Sequence, residues 1–94
     1  MDKTQTFSRG AIVFREGDAG DCMYELENGA VGVYHNYGGP SQKLISTLYN
    51  TSRELKIFGE MGLLEHEPRS ATVVALENGT ILTRITEADF EVVK

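Results

Sequence analysis

Glycines and asparagine–glycine pairs divide this chain into short segments of alternating side chains, and that punctuation constrains the fold more than any other feature. Residues 11–14, Ala11-Ile12-Val13-Phe14, form an apolar, β-rich run that breaks at Glu16-Gly17-Asp18-Ala19-Gly20, where two glycines permit positive φ. Residues 22–27 alternate, with Cys22, Tyr24 and Leu26 on one face, and Asn28-Gly29 is the pair favoured in a two-residue hairpin turn. The predicted return strand, 30–35, places Val31 and Val33 on one face. Beyond the Gly38-Gly39-Pro40 loop, residues 43–48 alternate through Leu44, Ser46 and Leu48. Residues 71–76 are β-rich, Asn78-Gly79 repeats the hairpin signal, and residues 80–85 alternate through Ile81, Thr83 and Ile85. The expected fold is mainly β: a double-stranded β-helix, or jelly-roll-like β-roll, with a short helix within 57–64. Thr86-Glu87-Ala88-Asp89 reads as a capping box that opens a second, truncated helix at the C-terminus.

A chain of 94 residues suits one modest core, so residues 1–94 are expected to form a single domain. Its apolar runs are far shorter than the roughly 20 residues of a membrane span, and Met1 to Thr6 lack the basic and apolar regions of a secretory signal. With Cys22 as the only cysteine, a reducing cytoplasm is the expected compartment. In that setting Asn50-Thr51-Ser52 and Asn78-Gly79-Thr80 read as turn chemistry rather than glycosylation acceptors. Fourteen acidic against nine basic residues give a net charge of −5, the wrong sign for a domain that holds nucleic acid through its phosphates. An anionic small ligand would need a local positive group. His35 and His66 are far apart and neither is linked by spacing to Cys22, while Glu65-His66-Glu67 sends its side chains in divergent directions. Neither a catalytic set nor a metal site is therefore expected, and the closely spaced histidines of a metal-dependent β-barrel enzyme are missing from the pattern.

The chemistry concentrates in residues 58–73. A glycine-led helical turn within 57–64, with Glu60 at its start, presents unpaired backbone N–H groups where the helix dipole favours an anion. Arg69, held by Pro68 at the start of a strand, offers a planar fork that can grip two phosphate oxygens. Glu60 would repel phosphate but can accept a hydrogen bond from a sugar hydroxyl, so the set suits a ribose cyclic phosphate. Taken singly, a glutamate at a helix start and a Pro-Arg pair before a strand are ordinary structural material. Their combination at this spacing carries the reading.

This segment resembles the phosphate-binding cassette of cyclic nucleotide-binding domains, the family of the bacterial catabolite activator and of the regulatory subunits of cyclic-nucleotide-dependent kinases. Residues 9–18, 20–26 and 28–33 are similar to that family's first strands and glycine turns, so the resemblance extends from Phe7 to Phe90. It implies that Glu60 accepts the ribose 2′-hydroxyl and that Arg69 pairs with the exocyclic phosphate oxygens. Gly59, Met61 and Ala71 would lend backbone N–H groups beside Phe58, and Ser70 would bond the phosphate or a guanine amino group. Val31 and Val33 are either base-lining residues or ordinary core valines. The implied ligand is cAMP or cGMP, with the Arg-Ser-Ala run favouring cAMP, and the implied function is regulatory rather than catalytic. Two departures stand out: Arg53-Glu54-Leu55-Lys56-Ile57 replaces the glycine-containing approach to the cassette, and the sequence runs only a turn or two beyond Thr86, where the family places a lid helix. An effector domain or an oligomeric partner could supply that lid. A module that keeps the fold but has lost the ligand is the competing expectation.

Overall fold

The computed structural model describes residues 3–50, 57–59, 67–86 and 88–89. Eight strands run β1 (Thr4–Phe7), β2 (Ile12–Phe14), β3 (Cys22–Asn28), β4 (Ala30–His35), β5 (Lys43–Tyr49), β6 (Ile57–Phe58), β7 (Thr72–Ala75) and β8 (Thr80–Thr86). They form two four-stranded antiparallel sheets, ordered β1-β8-β3-β6 and β2-β7-β4-β5. The mainly β expectation holds. Strands β1 and β6 are additions to it: β1 is a polar Thr-Gln-Thr run with no apolar face, and β6 has only two residues, too short for alternation to register. Ile57 and Phe58, which the expected connector helix took in, are instead strand β6, paired with β3; the rest of that helix lies outside the described residues, as does most of the expected C-terminal helix.

Both asparagine–glycine pairs were expected to close hairpins, and neither does. Strands β3 and β4 lie in different sheets, as do β7 and β8, so Asn28-Gly29 and Asn78-Gly79 are corners at which the chain passes from one sheet to the other. The two corners are packed together. Gly29 adopts φ +88°, and a Cβ placed there would come within 2.8 Å of the Thr80 Cα, so the backbones approach as closely as glycine allows. Asn28 donates to the Gly79 carbonyl, and the fully buried Thr80 hydroxyl donates to the Glu77 carbonyl at 2.8 Å while lying 3.4 Å from the Ala30 amide that donates to it. An asparagine–glycine pair encodes the tight reversal but not which strands it joins.

The core lies between the sheets. Cys22, Tyr24 and Leu26 project inward from β3 as their alternation requires, against Leu82 from β8 and Val31 and Val73 from the opposite sheet. On β8 the fully buried positions are Thr80 and Leu82, so Ile81, Thr83 and Ile85 occupy the other, half-buried face. Two irregularities re-aim side chains. On β5, Ser46 pairs with Val33 but Leu44 pairs with Tyr34, which skips Ile45 and leaves Leu44 51% exposed rather than on the inner face with Leu48. On β2, Ile12 pairs with Val74 but Phe14 with the adjacent Val73, so Val13 and Phe14 both pack against the core where plain alternation would admit only one.

The expected capping box is formed: the Thr86 amide donates to Asp89 Oδ2 at 2.9 Å, and the Asp89 amide returns a bond to the Thr86 hydroxyl at 3.3 Å. Lys3, preceding β1, pairs with the same carboxylate.

Two predictions follow from this packing. Thr80→Val keeps the shape but leaves the buried Ala30 amide and the part-buried Glu77 carbonyl without their partner, and should lower unfolding stability by about 1–3 kcal/mol in urea titrations. Asp89 is held at about 2, from an ordinary 3.8, first by Lys3 and then by the Thr86 amide and hydroxyl. A depressed carboxyl contributes stability above its unfolded value and loses it as pH falls through the folded one. The melting temperature of Asp89→Asn should therefore lie slightly below wild type near pH 6, with the gap closing between about pH 4 and pH 2.

Candidate functional site

Arg69 stands at the seam of the two sheets, where its backbone is fixed before its side chain is considered. Its amide donates to the Asp18 carbonyl at 2.8 Å and its carbonyl accepts from the Gly17 amide at 2.7 Å. The Glu16 amide donates to the Thr72 hydroxyl, and Asp18 caps the Arg15 amide, so the turn after β2 is stitched along the segment that leads into β7. Glycine at position 17 meets the positive φ that this turn demands.

The Arg69 side chain points inward and is only 7% exposed. Nη1 donates to the Gly59 carbonyl and Nη2 to the Cys22 carbonyl, both at 2.9 Å, with the Cys22 sulfur 3.4 Å from Nη2. The guanidinium carbon lies 4.1 Å from the centre of the Phe14 ring. Phe14 is backed in turn by Tyr24 and Phe58, with ring centres 6.1 and 6.2 Å away. Tyr24 does not compete as an anion: burial foremost, helped by the Cys22 thiol, pushes its hydroxyl up to about 12. Gly59, at φ +79°, makes room for this arrangement, since a Cβ there would lie 2.7 Å from Arg69 Nη1.

The charge of this arginine is thus met by two carbonyl dipoles and a ring face. Among the described residues no carboxylate forms an ion pair with it, and its buried Nε has no hydrogen-bond partner. A buried cation with an unused donor favours an anion that can share the site. Beside it lies a cavity of about 200 Å³ lined by Phe14, Val33, Phe58, Gly59, Glu67, Pro68, Arg69, Ser70, Ala71 and Val73.

Of the residues singled out in the sequence, Phe58, Gly59, Arg69, Ser70, Ala71 and Val33 line this one cavity. Val31 does not; it is fully buried in the core behind it. Glu60 and Met61 lie outside the described residues. Phe14 and the Cys22 carbonyl were not anticipated. Phe14 reads in sequence as one more apolar residue of a short strand, because the bulge that turns it toward Arg69 leaves no mark in the pattern; a main-chain acceptor such as the Cys22 carbonyl carries no residue signature at all.

Fold and site together define a β-roll with a buried arginine beside a small cavity, an arrangement suited to a small anionic ligand. Residues 4–93 match the cyclic nucleotide-binding domain family, and the chain belongs to that family. It is 33% identical over 86 residues to a cAMP-dependent protein kinase regulatory subunit of Hypocrea atroviridis, covering 88% of this chain and 19% of that protein. Among solved structures it is similar to the EAL enzyme Bd1971 in its cAMP-bound and cGMP-bound forms. These have TM-scores of 0.77 and 0.78 and 36% identity, and each comparison covers 92% of this chain and 22% of the other. The catabolite activator protein of Thermus thermophilus gives a TM-score of 0.81 at 28% identity, over 95% of this chain and 39% of that one. The chain spans about a fifth of the length of the kinase regulatory subunits it matches. No described helix is long and apolar enough to cross a membrane.

Gly59→Ala tests the close packing around Arg69. It combines a left-handed φ with a Cβ inside the guanidinium's space, and should cost about 1–3 kcal/mol of unfolding stability by chemical denaturation.

Proposed function

We propose that this domain is a regulatory module that binds a cyclic mononucleotide, with cAMP preferred, and passes ligand occupancy to an attached effector domain or a partner subunit in the cytoplasm. The observation that carries the reading is the buried Arg69, its Nε unpartnered among the described residues, on the wall of a cavity that also contains Gly59, Ser70 and Ala71. Arg69 pairs with the exocyclic phosphate oxygens, and the backbone of Gly59, Met61 and Ala71 adds neutral donors. Glu60 takes the ribose hydroxyl, and Ser70 bonds the phosphate or a guanine amino group. Val33 borders the base, with Val31 as packing behind it. The mechanism needs no metal and no covalent step: binding shifts an equilibrium between two arrangements of the domain by its difference in affinity for them.

The preference for cAMP is supported by the Arg69-Ser70-Ala71 run and by the relatives named as cAMP-dependent regulatory subunits. The regulatory role is supported by the same names, since in them the matching segment is a small part of a larger protein.

Isothermal titration with cAMP and cGMP, on wild type and on Arg69→Ala, tests this directly. Wild type should bind saturably and cAMP more tightly. Arg69→Ala should lose about 2–5 kcal/mol, roughly 30-fold to several thousand-fold in affinity. A folded wild-type protein that no cyclic nucleotide binds or stabilises would identify a module that has kept the fold and lost the ligand.

A further inference from the structure

We propose that Phe14, turned inward by the β2 bulge, is a positioning residue that fixes the plane of the Arg69 guanidinium and so selects which exocyclic oxygen of the bound phosphate it grips; this rests on the cyclic-nucleotide reading above.

A guanidinium is flat, and a long side chain leaves it free to rotate about its last bonds unless something holds both an edge and a face. Two carbonyls hold the edge: Gly59 at Nη1 and Cys22 at Nη2. Hydrogen bonds to two points still allow the plane to tilt about the line that joins them. The Phe14 ring, 4.1 Å from the guanidinium carbon, supplies the third constraint, because an aromatic face attracts a cation lying over it. The ring itself is held against swinging away by Tyr24 and Phe58, which also stack on each other at 5.6 Å. The bulge belongs to the device. With Ile12 opposite Val74 and Phe14 opposite the adjacent Val73, the extra residue on β2 brings Phe14 onto the core side beside Val13. Phe14 also lines the cavity, so the ring that orients Arg69 borders the space a phosphate would enter. With its plane set, the guanidinium meets the cavity that Arg69 and Phe14 both line in one orientation.

The two exocyclic oxygens of a cyclic phosphate are stereochemically distinct, and replacing one or the other by sulfur gives the Sp and Rp phosphorothioates of cAMP. A guanidinium held in one plane distinguishes them; a loose one does so less. The experiment is calorimetric titration of cAMP and both phosphorothioates against wild type, Phe14→Leu, Phe14→Met and Phe14→Tyr, each repeated with Arg69→Lys. Leu and Met keep the apolar contact and remove the π face, whereas Tyr retains it. Phe14→Leu and Phe14→Met should weaken cAMP about 5- to 30-fold and narrow the Sp-to-Rp affinity ratio. Phe14→Tyr should restore both, and in the Arg69→Lys background the Phe14 substitutions should have little further effect. In the free protein, the Arg69 Nε–H resonance should carry a ring-current shift that Phe14→Leu abolishes.

Equal loss for both diastereomers, persisting with Arg69→Lys, would mean that Phe14 is only core packing and would overturn the proposal while leaving the cyclic-nucleotide reading intact. A wild type that binds none of the three ligands would overturn both. An Nε–H resonance unmoved by Phe14→Leu would overturn the proposal without any ligand present.

Discussion

Burying a guanidinium away from water costs several kcal/mol unless its charge and donors are met, and the packing around Arg69 is organised by that requirement. The Gly59 carbonyl, at the end of β6, and the Cys22 carbonyl, at the start of β3, reach it from one sheet. Phe14, from β2 of the other sheet, covers its face. Its own amide and carbonyl meanwhile bind the turn at Gly17 and Asp18. One side chain and its backbone thus tie the two sheets to each other. Among the described residues the Arg69 Nε finds no acceptor, so the arrangement leaves the guanidinium incompletely satisfied.

Much of this was legible from residue order. The inward faces of β3 and β4 follow from simple alternation, and the boundaries of β3, β4, β5 and β8 fall within a residue of where the pattern ends. Arg69 and the glycine-led turn at Gly59 could be picked out because glycine, proline and arginine each have a narrow physical use at that spacing, whereas Ser70 and Ala71 were named by the family resemblance. Pairing was not legible. Asn28-Gly29 and Asn78-Gly79 have the chemistry of hairpin turns, yet each joins opposite sheets, because the partner of a strand is chosen by tertiary packing that no local pair encodes. The bulges were hidden for a related reason: one skipped residue at Ile45 or near Val13 inverts a face without changing composition. Phe14 could be recognised as part of the site only once that inversion was seen.

The surface follows the same logic. Skipping Ile45 turns Leu44 outward, and β5 is an edge strand with Leu44, Ile45 and Tyr49 each about half exposed. Inside, the same register keeps Val31 opposite Leu48 and preserves the wall behind the cavity.

The pairing of β1 with β8 bears on how the chain reaches this structure. Thr4 lies opposite Thr83 and Phe7 opposite Thr80, so the earliest strand finds its partner only in one of the latest. During synthesis, β1 must wait with its amides bonded to water until the residues of β8 have emerged. Pairing between residues so far apart in sequence makes for a high contact order. Assembly of this small sheet should therefore be slow for its size, and the edge of β8 stays open to other strands until β1 arrives.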